Sequence, residues 1–201
     1  MHARYLTVGI GLVLIWASAG TSAEVPSQDD TTMQVICSFS ATFADGVESH
    51  IDTNNDGVSA VLDHAISNCN IGRFFISGAA EYQAPLSPPE TCPAGSTLEF
   101  RLQQARGVGI EERTGDQLFV EYGINGLTLC VNGSDGTVTS TGGGTYAGGT
   151  GQFEGARGSF EVRATGRYLA TGVKDGVFGG FGQYTGRSTG ELILPWTRPA
   201  P

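Results

Sequence analysis

The sequence predicts an all-β domain, a barrel or sandwich of short strands with one short helix. Apolar and polar residues alternate strictly in several runs, as where Phe160, Val162 and Ala164 interleave with Glu161, Arg163 and Thr165. That period of two gives a strand two distinct faces. Turn-forming residues separate such runs every about 10 to 20 residues, a spacing typical of barrels and sandwiches. Glycine is dense: 31 in the chain, with eight in Gly142–Gly158, GGGTYAGGTGQFEGARG. Such density supplies the positive-φ turns and close strand approach of a tightly curved antiparallel sheet, so this stretch reads as a hairpin corner.

The chain opens Met-His-Ala-Arg, runs apolar from Tyr5 to Trp16, and turns small through Ala17–Ala23. This is the three-part layout of a secretory signal peptide spanning 1–23, with cleavage expected after Ala23 and a second small-x-small site at Ala17-Ser18-Ala19. The alternative, an uncleaved anchor, has a short apolar run to work with. A secreted or periplasmic location follows, and no membrane span is expected in the mature chain. Residues 24–34 are polar and expected to be disordered. A single domain is expected over 35–195, followed by a tail at 196–201, because no Ser/Pro linker interrupts the middle.

Eleven basic and twenty acidic residues give a formal charge of −9. Removing residues 1–23 takes away Arg4 and no acid, leaving ten against twenty, or −10. Such a field opposes phosphate backbones and anionic lipid, so nucleic acid is excluded as a partner, and it favours cation capture. Cys37, Cys69, Cys92 and Cys130 all lie in the exported part, and an even number in an oxidising compartment reads as two disulfides. Three pairings are open. Cys37–Cys69 with Cys92–Cys130 is the favoured one, each closing a loop worth roughly 3–4 kcal/mol in the chain-entropy model.

The first strand is expected at Val35–Phe43. Asp52-Thr53-Asn54-Asn55-Asp56-Gly57 then carries the DxNxDG spacing of a calcium loop. Asp52, Asn54, Asp56, the Val58 carbonyl and Asp63 occupy the places where oxygen ligands converge around a tight turn. The spacing resembles the calcium loop of dockerin repeats, although Ala60 stands at the ninth position, no helix precedes Asp52 and the loop occurs once. In the alternative reading Asp56 or Ser59 caps a short helix over Ser59–Cys69, with Val61, Leu62, Ala65, Ile66 and Cys69 at helical spacing.

Ile71–Tyr82 reads as a strand curved by its glycines. Leu98–Leu102 and Leu118–Tyr122 read as central strands with the reversal at Arg106–Asp116. Leu127–Val131, a turn at Asn132–Gly136, Thr137–Tyr146 and a last strand at Gly190–Leu194 complete the order.

The segment GGTGQFEGARGSFEV resembles the GGTGxFxGAxG signature of the allene oxide cyclase/dirigent-type barrels, and is closer still to secreted bacterial domains sharing that signature. Those domains resemble this chain over about Asp52–Pro195, since a DxNxDG loop, a TCPAG-like segment, a GDxL strand and the GGTG corner recur in the same order. The resemblance implies a single antiparallel β-barrel. It carries no catalytic residue onto this chain, so the catalytic set is unknown.

Other patterns point to no chemistry. Gly186-Arg187-Ser188-Thr189-Gly190 has the GxSxG text of a hydrolase elbow, but a strand follows it and no histidine comes after His64. The glycine runs lack nucleotide-binding spacing, so no organic cofactor is expected and calcium is the sole cofactor candidate. His50 and His64 flank the acidic loop and could hold a transition metal, or sit solvated at the surface. The polar members of the alternating strands, Glu99, Arg101, Glu121, Glu161 and Arg163, with Tyr122, Tyr146 and Tyr168, either line the interior or pair across strands in water.

Three readings of function follow. The first is a non-catalytic binding or envelope-associated module with an unknown small hydrophobic ligand or protein partner. The second is a cyclase, isomerase or dirigent-like enzyme folding a small hydrophobic substrate inside an apolar cavity. The third is a structural subunit of a homo-oligomer. A closed cavity of several hundred cubic ångströms with Glu or Tyr inside favours the second, and a filled interior favours the first.

Overall fold

The computed structural model describes residues 30–45, 60–83, 85–174 and 177–195. The nine strands are β1 (Thr31–Asp45), β2 (Val61–Cys69), β3 (Gly72–Tyr82), β4 (Leu98–Glu111), β5 (Gln117–Tyr122), β6 (Leu127–Val131), β7 (Thr137–Gly149), β8 (Arg157–Lys174) and β9 (Val177–Leu194). All pair antiparallel, in the order β3-β2-β1-β9-β8-β7-β5-β4, and β3 pairs back onto β4 to close a barrel. β5 and β6 share one position. β5 joins the C-terminal half of β4 to that of β7, and β6 joins their N-terminal halves. The nine strands therefore form an eight-position barrel, interrupted at that position by a turn in which Asn125 adopts φ 58°, a conformation asparagine tolerates better than most residues.

Strand alternation decides what faces inward. Phe160 and Ala164 are buried and Val162 is partly so, whereas Glu161, Arg163 and Thr165 are exposed, as the period of two predicts. On β9 the inner face carries small residues, and a Cβ at Gly182 or Gly186 would lie 2.4 or 2.5 Å from the rings of Phe43 and Phe39. Those two glycines make room for the aromatic side chains of β1, the neighbouring strand.

After β7 the corner folds into a 3-10 turn, Gly151–Phe153, and Phe153 packs inward against Phe74 with ring centroids 5.7 Å apart. Gly151 has φ +56°, and a Cβ there would meet the Asp116 carboxylate at 2.0 Å, so this corner admits only glycine. The Gln117 backbone N–H donates to Thr150 Oγ1 at 2.9 Å, tying the corner to β5.

Two disulfides are present, Cys37–Cys69 and Cys92–Cys130. The first joins directly opposed residues of β1 and β2. The second pins the segment after β3 onto β6. They belong to an oxidising compartment. No helix among the described residues is long and apolar enough to cross a membrane.

Several expectations are corrected. The helix expected over Ser59–Cys69 is absent over its described part, where Val61–Cys69 is strand β2. The residues at helical spacing mix two strand faces: Val61, Ala65 and Cys69 turn inward, while Ile66 is exposed. Pairing with β1 and β3 on both edges outweighs a weak local periodicity. The first strand begins at Thr31, inside the segment expected to be disordered, because Thr31–Gln34 pair with Glu191–Leu194. β4 continues to Glu111 through the expected reversal at Arg106, since Arg106–Ile110 are paired on both sides. The last strand starts at Val177 instead of Gly190 because its glycines serve close packing within a strand.

Candidate functional site

The barrel interior holds a partly open cavity of about 230 Å³, somewhat below the roughly 300–1,000 Å³ of ordinary small-molecule sites. Its wall is mainly apolar: Ala65 from β2, Ile76 and Ala80 from β3, Val120 from β5, Val162 and Ala164 from β8. The Cys37–Cys69 disulfide also faces it. Against this background stand Tyr82, Tyr122, Tyr146 and Tyr184, with Ser67, Ser140, Ser188 and a single carboxylate, Asp63.

The alternation of β2 places Asp63 inward together with Val61 and Ala65. Phe43 of β1 lies directly opposite Asp63 and opposite Gly182 of β9. Tyr184, two residues beyond Gly182, reaches across β1, and its hydroxyl donates a hydrogen bond to the Asp63 carboxylate. Burial, then the Asp63 charge and this hydrogen bond, hold the Tyr184 phenol far above the ordinary tyrosine range. Burial and Asp63 likewise push up Tyr122, and burial alone raises Tyr146 to about 12. These phenols are neutral at physiological pH, presenting ring faces and O–H groups to the cavity. Tyr122 and Tyr146 both meet Phe160, at centroid separations of 5.2 Å each.

The other residues expected to carry function fall elsewhere. Asp52, Asn54, Asp56, Val58 and His50 lie outside the described residues. Asp63 is in the lumen. Among the described residues no group of three or more metal-ligating side chains occurs. His64 is exposed on the outer face, its Nδ1 3.1 Å from Ser77 Oγ. Glu121 is on the outside, 3.2 Å from Arg106 on the facing strand. Arg163 is exposed opposite Arg187. Tyr168 packs edge-on against Phe43 at 5.1 Å. Ser188 of the GxSxG text sits mid-strand in β9, in no nucleophile turn.

Glu99 is fully buried without belonging to the lumen. Leu98, Phe100 and Leu102 take the inner face of β4, leaving Glu99 on the outer face opposite Cys130. The Cys92–Cys130 disulfide brings the preceding segment over it, and the backbone N–H groups of Glu90 and Thr91 donate to Glu99 Oε2 at 2.8 and 2.6 Å. Arg101 Nε donates to the other oxygen at 2.9 Å. The Thr91 N–H first, with Arg101 and the Glu90 N–H, lowers its pKa to about 2 against the opposing effect of burial. This carboxylate is a structural clamp.

Sequence reading missed Tyr184 and the lumenal role of Asp63. The available signal was the β9 inner row Gly182, Tyr184, Gly186, Ser188, where one large side chain stands among small ones. No protein-family profile matches the chain, and no curated protein is significantly similar to it.

Proposed function

We propose that the chain is a secreted binding barrel whose lumen receives one small, largely apolar molecule. The observation that carries this reading is the partly open, mainly apolar cavity inside the barrel, lined also by tyrosines and, among the described residues, one carboxylate. Such a combination of apolar wall and few polar groups is how small-molecule sites obtain affinity and orientation together. The leader-like 1–23 segment and the two disulfides support export. The resemblance of the GGTGQFEGARG corner to allene oxide cyclase and dirigent-type barrels supports a lumenal ligand. Calcium held by the Asp52–Asp63 loop is a further element of the proposal, resting on the DxNxDG spacing.

The test is calorimetric titration with 1-hexanol as a neutral apolar probe, on the wild type and on Ala164→Phe, which fills the lumen. The proposal expects saturable binding that the variant loses. Binding of equal strength in a folded Ala164→Phe protein would place the probe elsewhere.

The Asp63–Tyr184 hydrogen bond favours a second reading, a cyclase or isomerase in which this pair moves a proton on a bound hydrophobic substrate. Mass spectrometry of ligands carried by the purified protein separates the two. A carrier releases one unchanged compound, whereas an enzyme incubated with it yields an isomer of equal mass and different retention.

A further inference from the structure

We infer that the occupant of the lumen carries an organic ammonium group, seated against Asp63 among the rings of Tyr82, Tyr122 and Tyr184. This inference rests on the lumenal reading above and names the chemistry of its ligand. Asp63 is the one acidic residue in the described cavity wall, and the one basic residue there, Arg106, turns its side chain outward, 83% exposed and paired with Glu121. The formal side-chain charge of the described wall is therefore negative. Tyr184 gives Asp63 a neutral donor, which satisfies a lone pair without cancelling a carboxylate's formal charge.

The surroundings add to this. Three tyrosines and Phe43 gather around Asp63: Tyr184 is 5.9 Å from Phe43 between ring centroids, and Val61, two residues before Asp63 on the inner face, packs against both the cluster of Phe43 with Tyr184 and the cluster of Tyr82 with Tyr122. Aromatic faces attract a cation through the ring quadrupole, more strongly when water is excluded, and they favour it over a neutral group of the same shape. The apolar part of the cavity wall, with Val120, Val162 and Ala164, is suited to a short apolar tail. A carboxylate-bearing ligand would meet Asp63 as a like charge in a poorly solvated space.

The experiment compares four probes of one chain length on the disulfide-bonded protein at neutral pH: hexylammonium, hexyltrimethylammonium, 1-hexanol and hexanoate. At least one cation is expected to bind about tenfold more tightly than 1-hexanol, with hexanoate weakest. Asp63→Asn is expected to bring the best cation to within about threefold of 1-hexanol. If 1-hexanol equals or exceeds both cations, the ammonium inference is overturned while the lumenal reading stands. If the cation preference survives intact in Asp63→Asn, the cation sits elsewhere and the inference is again overturned. Should no probe bind, both fall. Should Asp63→Asn not fold, competition in the wild type decides: the cation must displace 1-hexanol from the Ala65 and Val162 methyl groups, and failure to do so overturns the inference.

Discussion

Tyr184 on β9 and Asp63 on β2 are joined by a hydrogen bond that passes over β1, the strand between them. The approach exists because Gly182 and Gly186 flank Tyr184 on the inner face and leave space beside its ring for Phe43 and Phe39. Replacing Tyr184 by Phe keeps that ring packing and removes the donor. The expected cost is about 1.5–3 kcal/mol in urea unfolding, as for a hydrogen bond to a charged acceptor. A variant as stable as the wild type would mean that the hydroxyl bond is immaterial to the fold.

Acid stability should report on Glu99. Its folded pKa is lowered to about 2 from the ordinary glutamate value of 4.5. A depressed carboxylate contributes stability that is complete above the unfolded value and lost as pH falls through the folded one. The unfolding midpoint should therefore decline between about pH 4.5 and 2. Glu111, lowered by the Thr114 N–H and Arg113 against burial, adds in the same direction. In Glu99→Gln the acid-dependent decline should shrink, because the Glu90 and Thr91 N–H groups then face a neutral acceptor. An unchanged pH profile in that variant would remove Glu99 from the account.

Arg163 and Arg187 stand directly opposite each other on the outer face of β8 and β9. Like charges in that register destabilise a sheet, and opposite charges contribute roughly 0.2–1 kcal/mol. Arg187→Glu is expected to raise the thermal midpoint at low salt, with the gain fading as salt is added. A lower midpoint would indicate that Arg187 has a favourable partner in solution.

The calcium proposal has a direct thermal test. Ligand bound to the native state alone adds RT ln(1+[L]/Kd), or about 2.7 kcal/mol at a hundredfold excess over Kd. Chelator-stripped protein should melt higher with calcium restored, and Asp56→Ala should abolish the difference. Equal melting of wild type with and without millimolar calcium would reduce the loop to a turn.

How far the fold could be read depended on how locally each feature is encoded. Alternation in Phe160–Thr165 and Leu98–Leu102 showed strands and their faces, because burial on one side of a sheet leaves a period of two. Cysteine separations of 32 and 38 residues suited the observed pairing over longer loops. β2 was misread because Val61, Leu62, Ala65, Ile66 and Cys69 fit a helical stripe as well as a strand, and only partners distant in sequence decide between them. Glu99 looked like any alternating polar residue. Its burial comes from a segment folded over it by a disulfide, which no local pattern records. The lumenal cluster draws Asp63, Tyr122 and Tyr184 from three strands, and a closed barrel is needed before they meet.

The central claim is that the lumen holds a ligand, and methyl NMR of the intact disulfide-bonded protein with 1-hexanol tests it most directly. Lumen-facing methyl groups of Ala65, Val120, Val162 and Ala164 should shift in a saturable manner, while those of the exposed Ile36 and Ile66 stay in place. Shifts confined to the outer-face isoleucines, or none at probe saturation, would contradict it.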